Sequence, residues 1–131
     1  MKMTRRELRE SIFLLLFRIE FNTREELEEQ LEDYYNNLES EEDTNYIHEK
    51  LMNILDRLST IDEKIMEICK GWRLSRLGKA ELAILRLAVY EILYDEEIPT
   101  GVAINEAVNI GKVYCSEEAP RFINGVLAKL A

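Results

Sequence analysis

Leu82-Ala83-Ile84-Leu85-Arg86-Leu87-Ala88-Val89-Tyr90-Glu91-Ile92-Leu93 is the stretch on which the fold turns. Leu82, Leu85, Val89, Ile92 and Leu93 recur at helical spacing and form one broad apolar side. Ala83, Ile84, Leu87 and Ala88 carry that side almost around the helix. A helix with so little polar surface belongs at the centre of a core, and the spacing predicts one over 78–95.

Outward from this segment the period stays helical. Leu8, Ile12, Leu15 and Ile19 line one face of a first helix, and Ile47, Leu51, Ile54, Leu55 and Leu58 line a third. Thr4-x-x-Glu7, Thr23-x-x-Glu26 and Thr60-x-x-Glu63 fit the capping box, with Ser40 and Asp43 a weaker version. Thr100 and Ser116 are candidate caps for the last two helices, and Pro120 suits a first helical turn. The expected helices are 4–20, 23–38, 42–58, 60–70, 78–95, 101–114 and 118–130. No strand alternation, internal repeat or low-complexity tract interrupts them. The expectation is all-α, one compact domain of about seven helices.

The 131 residues suffice for a sizeable core, and 5 Gly with 2 Pro leave little but short turns between helices. The longest apolar run, Ile12–Phe17, is well short of the ~20 residues of a membrane span. No signal-peptide pattern surrounds it. Cys69 and Cys115 lack metal or redox spacing and read as reduced thiols, which places the chain in the cytoplasm. The net charge is −9, unevenly spread. Residues 1–19 hold five bases against two acids, residues 20–67 hold 16 acids against four bases, and residues 68–131 balance. Such a chain excludes a broad nonspecific nucleic-acid coat but allows a local basic patch.

Several polar or glycine positions sit where a generic bundle does not need them. They fall in Arg86-Leu87-Ala88-Val89-Tyr90-Glu91, Val102-Ala103-Ile104-Asn105-Glu106-Ala107 and Phe122-Ile123-Asn124-Gly125-Val126-Leu127. With Trp72-Arg73-Leu74-Ser75-Arg76-Leu77 and the N-terminal Thr4-Arg5-Arg6-Glu7-Leu8-Arg9-Glu10, they closely resemble the NusB family of bacterial transcription antitermination factors. The resemblance covers essentially the whole chain and is strongest from Lys70 to Leu130. It implies an all-helical fold of two small bundles, about 1–70 and 71–131, with no catalysis and no cofactor. It implies binding to the boxA element of ribosomal RNA leader transcripts, together with the ribosomal small-subunit protein NusE and the RNA polymerase antitermination complex. It also leaves room for a homodimer of the free chain.

The residues themselves support parts of this. Arg5, Arg6 and Arg9 fall within about 100° of one helix face, with Glu7 outside the arc, and suit phosphate oxygens. The same arginines equally suit a solubilising first turn; the family position favours RNA, although many members carry more arginines here. Phe122, beside Arg121 at the start of the last helix, suits stacking on an unpaired base or a place in the core, and the family again favours RNA. Arg73, Arg76, Lys79 and Arg86 around Trp72 either extend that track or pair with the acids of residues 20–67. Asn105 reads as a buried structural clasp, and Gly125 as a close helix crossing. Glu81 stands where the family meets its protein partner, and Phe17 and Phe21 are candidates for the apolar part of that contact. His48 lies on a polar stretch, and no catalytic set or metal cluster accompanies it. The alternative is an acidic protein-interaction module that docks a basic partner without RNA. The helical RNA-binding domain of some ribosomal RNA cytosine methyltransferases is also similar, but the sequence contains no nucleotide-binding βαβ unit.

Overall fold

The computed structural model describes residues 2–70 and 77–131. Trp72, Arg73 and Arg76 therefore lie outside the described residues. Among those described there are seven α-helices and no strand: α1 (Arg5–Phe17), α2 (Arg24–Asn36), α3 (Glu41–Asp56), α4 (Leu58–Ile68), α5 (Lys79–Tyr94), α6 (Thr100–Tyr114) and α7 (Ala119–Leu127). Single 3-10 turns, Arg18–Phe21 and Ala128–Leu130, finish α1 and α7. The chain divides into two compact units, Met1–Leu55 and Asp56–Ala131.

In the first unit the start of each helix is held by a side chain. The Thr4 and Thr23 hydroxyls accept from the Glu7 and Glu26 amides, and both glutamates accept in return from the threonine backbone N–H. Ser40 Oγ accepts from the Asp43 amide at 3.2 Å and opens α3. Leu8, Ile12 and Leu15 of α1 and Ile47, Leu51 and Ile54 of α3 are buried, as their period predicts. Ile19, which falls in the 3-10 turn, and Leu55 are only half-buried.

The second unit is built around α5, in which every residue from Leu82 to Glu91 is buried. It packs against α4, α6 and α7, and α6 packs against α7. Arg86, within this apolar helix, forms a two-pronged pair with Asp62 of α4: Nε to Oδ1 and Nη2 to Oδ2, each at 2.9 Å. At the C-terminus, Lys129 Nζ donates to the Ile68 carbonyl at 2.6 Å. These two interactions tie α4 to the second unit, so the division comes after Leu55 and not near residue 70.

Four local expectations are corrected. Helix α4 starts at Leu58 behind Arg57, so Thr60 is inside the helix and does not cap it. Burial of Ile61, Ile65 and Ile68 sets where this helix begins, over a local capping signal. Pro99 and Glu118 precede α6 and α7 without side-chain caps, so Thr100 and Ser116 do not serve as caps either. Asn105 is exposed, since α6 turns Ala103, Ala107 and Ile110 inward. The close crossing of α6 and α7 falls at Gly111, where an added Cβ would meet Ile123 Cδ1 at 2.9 Å; at Gly125 it would meet nothing within 4 Å.

Candidate nucleic-acid interface

In the first unit, α1 begins with its two arginines in the first turn, and both Arg5 and Arg6 are exposed. Arg5 lies over the Tyr46 ring of α3, 5.3 Å from its centre. A guanidinium stacked this way keeps its face on the ring and its N–H edge available for acceptors. Lys2 pairs with Glu42, and the Met3 amide donates to the buried Asp43 carboxylate at 2.7 Å. The acidic start of α3 thus holds the basic N-terminal segment in place. Arg9 is different: it is only 7% exposed and does not join the other two at the surface. The reason is visible in its spacing, since Arg9 shares a helical face with Ile12, Phe13 and Leu16, all fully buried.

Further along the first unit, Phe17 and Phe21 pack on each other with ring centres 5.0 Å apart. Phe21 is 59% exposed and Phe17 is half-buried. Leu14, one turn earlier on the same face, is also exposed, a position not singled out from sequence although its i, i+3, i+7 spacing to the two rings is visible there. Leu14 and Phe21 thus leave apolar side chains at the surface of the first unit.

In the second unit, Arg121 is exposed and Phe122 half-buried at the start of α7. Phe122 forms one wall of a cavity of about 240 Å³, with Leu77, Gly78 and Glu81 from the start of α5 and Ser116 and Glu118 before α7. Glu118 lies at the cavity mouth and is exposed, so phosphate is disfavoured on that side. Glu81 is not the outward-facing acid that its family position implies. Its carboxylate folds back over Gly78, so closely that a β-carbon there would collide with it. It also accepts from the Cys115 thiol, whose pKa is pushed up to about 11 by burial first and then by the Glu81 charge and hydrogen bond.

Other candidates resolve into architecture. Arg86 pairs with an acid of residues 20–67, which removes it from any RNA track. Lys79 is exposed at the start of α5. His48 is exposed, and its Nδ1 lies 3.1 Å from the Tyr35 hydroxyl. Both cysteines are free thiols. Among the described residues, no group of three His, Cys, Asp or Glu side chains is placed to hold a metal.

Helices throughout, guanidiniums displayed from a capped first turn, and a ring beside an open cavity are features of an all-helical binding protein. The particular family follows from comparison with known proteins: the model described as the NusB family matches residues 6–131, and the chain belongs to that family. It is 46% identical to the transcription antitermination protein NusB of Agathobacter rectalis, over 98% of this chain and 100% of that one. The same protein of Lachnoclostridium phytofermentans is 45% identical, over 98% of each chain. Among solved structures, NusB of T. maritima superposes with a TM-score of 0.91 at 36% identity, covering 100% of this chain and 92% of that one. A structure of the antitermination factors NusB and NusE in complex with dsRNA gives 0.80 at 27% identity, covering 96% and 94%.

Proposed function

We propose that this chain is a transcription antitermination factor that binds boxA-type RNA of ribosomal RNA leaders as a heterodimer with NusE. As a member of this family it is not an enzyme. The observation that carries the RNA reading is the exposed Arg5–Arg6 pair at the capped start of α1, with Arg5 held by Tyr46. Two donor forks on one capped helical turn suit phosphate oxygens, and the stacking of Arg5 lowers the ordering cost of that side chain. The similar fold of the NusB–NusE complex with dsRNA supports both partners.

Phe122 supports contact with unpaired bases, because a half-buried ring beside a cavity offers a stacking face that a base within a duplex cannot reach. Arg121 adds a positive charge next to it. Phosphate contacts position the RNA and the base contact reads it. The Leu14, Phe17 and Phe21 surface fits the apolar part of the NusE contact. Glu81 serves first to close the start of α5, and a partner cation there would compete with the Cys115 thiol for its carboxylate. Arg9 acts by packing, as part of the support under the first turn. The factor works in the cytoplasm, where NusE hands the RNA-bound pair to RNA polymerase, and the free chain self-associates through the same apolar surface. Among the described residues no helix is long and apolar enough to cross a membrane.

The test is fluorescence anisotropy of a labelled boxA-type RNA with this protein alone and premixed with NusE, across a salt series. Selective, salt-sensitive binding strengthened by NusE is expected. Arg6→Glu should weaken it and reduce the log–log salt slope by about 0.7 for each single-strand phosphate that the variant no longer neutralises. Phe122→Ala should cost about 1–3 kcal/mol with little change in that slope. Absence of selective binding in either form refutes the proposal.

A further inference from the structure

The first unit carries a concave feature that Arg5, Arg6 and Arg9 do not line. A groove of about 340 Å³ runs between α2 and α3. Its floor is apolar: Leu27 and Leu31 from α2, Met52 and Leu55 from α3. Tyr35 and His48 meet edge-to-face across one end of it, with their ring centres 5.3 Å apart. The volume is at the small end of the range for binding pockets, enough for a few apolar side chains.

The rim is acidic. Glu28 and Glu32 line the groove, and Arg24, the one base there, pairs with Glu28 at 3.1 Å. Residues 20–56 carry 13 Asp and Glu against two Lys and Arg, and the second base, Lys50, is buried beside Tyr46. A negative field of this strength repels nucleic acid and attracts cations. An apolar floor under an acidic rim calls for an occupant that is apolar on one side and basic at its margins.

The walls also set the shape of that occupant. Positions 24, 27, 28, 31, 32 and 35 all lie on one face of α2, a repeat of i, i+3, i+4, i+7. Eleven residues of helical rise make a groove roughly 16 Å long, the length of three helical turns. The middle of α2 is fastened to the preceding turn: Gln30 Nε2 donates to Asn22 Oδ1 at 2.8 Å and Arg18 Nη1 donates to Gln30 Oε1 at 3.3 Å. The α2 wall is therefore held in place before anything binds.

We propose that the α2–α3 groove docks a basic amphipathic helix of a protein partner, with apolar side chains of the partner seated on Leu27, Leu31 and Met52 and its lysines or arginines against Glu28 and Glu32. This is the helix-in-groove mode of recognition. It shares no residue with the RNA surface, so either reading can fail without the other.

The probe is a fluorescein-labelled 14-residue helical peptide of lysine, alanine and leucine with the leucines on one face, titrated into the full-length protein by anisotropy. Saturable binding is expected, and Glu28→Lys with Glu32→Lys should weaken it about tenfold or more, as removal of two charge partners does. Glu29→Lys with Asp33→Lys makes the same change in net charge on the exposed side of α2 turned away from the groove and should weaken it no more than about threefold, through the long-range field alone. Met52→Glu, placing a charge on the floor, should abolish it, with far-UV circular dichroism checking that each variant keeps its helices. The proposal is overturned by no saturable binding, by equal loss in the two acidic pairs, or by a folded Met52→Glu protein that binds like the parent.

Discussion

Replacing Asp62 by alanine leaves the Arg86 guanidinium buried without its carboxylate. Both bonds of this pair are 2.9 Å long, and the side chains are 7% exposed at Arg86 and 20% at Asp62. Removing one member of a buried pair costs about 3–5 kcal/mol, because the remaining charge keeps its desolvation penalty and arginine cannot shed its proton. The partial exposure of Asp62 lets water reach the vacated site, which points to the lower end, about 3 kcal/mol. In a chain of this length each kcal/mol moves the melting temperature by roughly 3–5 °C, so Asp62→Ala should melt about 10–15 °C lower. Urea titration followed by circular dichroism at 222 nm should show a lower midpoint at unchanged slope. The paired variant Asp62→Leu with Arg86→Met should recover most of the loss, since two apolar side chains of similar size carry no stranded charge. A loss under about 1 kcal/mol for Asp62→Ala, or a double variant no better than the single one, refutes the assignment of this pair as the clamp between α4 and α5.

Further outcomes follow from local geometry. Gly111→Ala places a β-carbon 2.9 Å from Ile123 Cδ1 in the α6–α7 crossing and should cost about 1–3 kcal/mol by overpacking, whereas Gly125→Ala, with nothing within 4 Å, should add about 0.5–1 kcal/mol; thermal melts of both variants should move in opposite directions. The Cys115 thiol, raised to about 11, should react with iodoacetamide at pH 8 on the order of 100-fold more slowly than an ordinary thiol, and Glu81→Gln should speed it by removing the charge that opposes the thiolate. The sign for stability is equally clear: with its folded pKa above the usual thiol value, Cys115 contributes stability that is present below pH 9 and lost as pH rises towards 11, so the parent should lose more stability than Cys115→Ser over that window, as urea titrations at each pH would reveal.

Much of the architecture was legible because it depends on periodicity. The near-continuous apolar run of α5, the faces of α1 and α3, and the boxes at Thr4 and Thr23 are local patterns whose physics is complete within a few residues. The family resemblance rests on the order of the blocks that begin at Thr4, Trp72, Arg86, Val102 and Phe122, and the NusB family model matches residues 6–131. Side-chain destinations were less legible. Arg5 and Arg9 are equally basic and one turn apart, yet one lies over Tyr46 at the surface and the other is buried. What separates them is the face that Arg9 shares with the buried Ile12, Phe13 and Leu16. Glu81 could not be separated this way, because its carboxylate is captured by Cys115 and the start of its own helix.

Thr60 and Gly125 depart from their local patterns for a related reason. A capping box and a helical glycine are local signals, while α4 begins where its isoleucines find a core and the close crossing falls where α6 and α7 happen to meet. The sequence by itself determined that this chain forms helices, which of their faces are apolar, and to which family it belongs. Tertiary structure alone decided which arginine pairs with Asp62, which stays at the surface, and that α2 and α3 leave a groove between them. Helical period is set by backbone geometry within a single segment, whereas burial and charge pairing depend on which segments, distant in sequence, fold against each other.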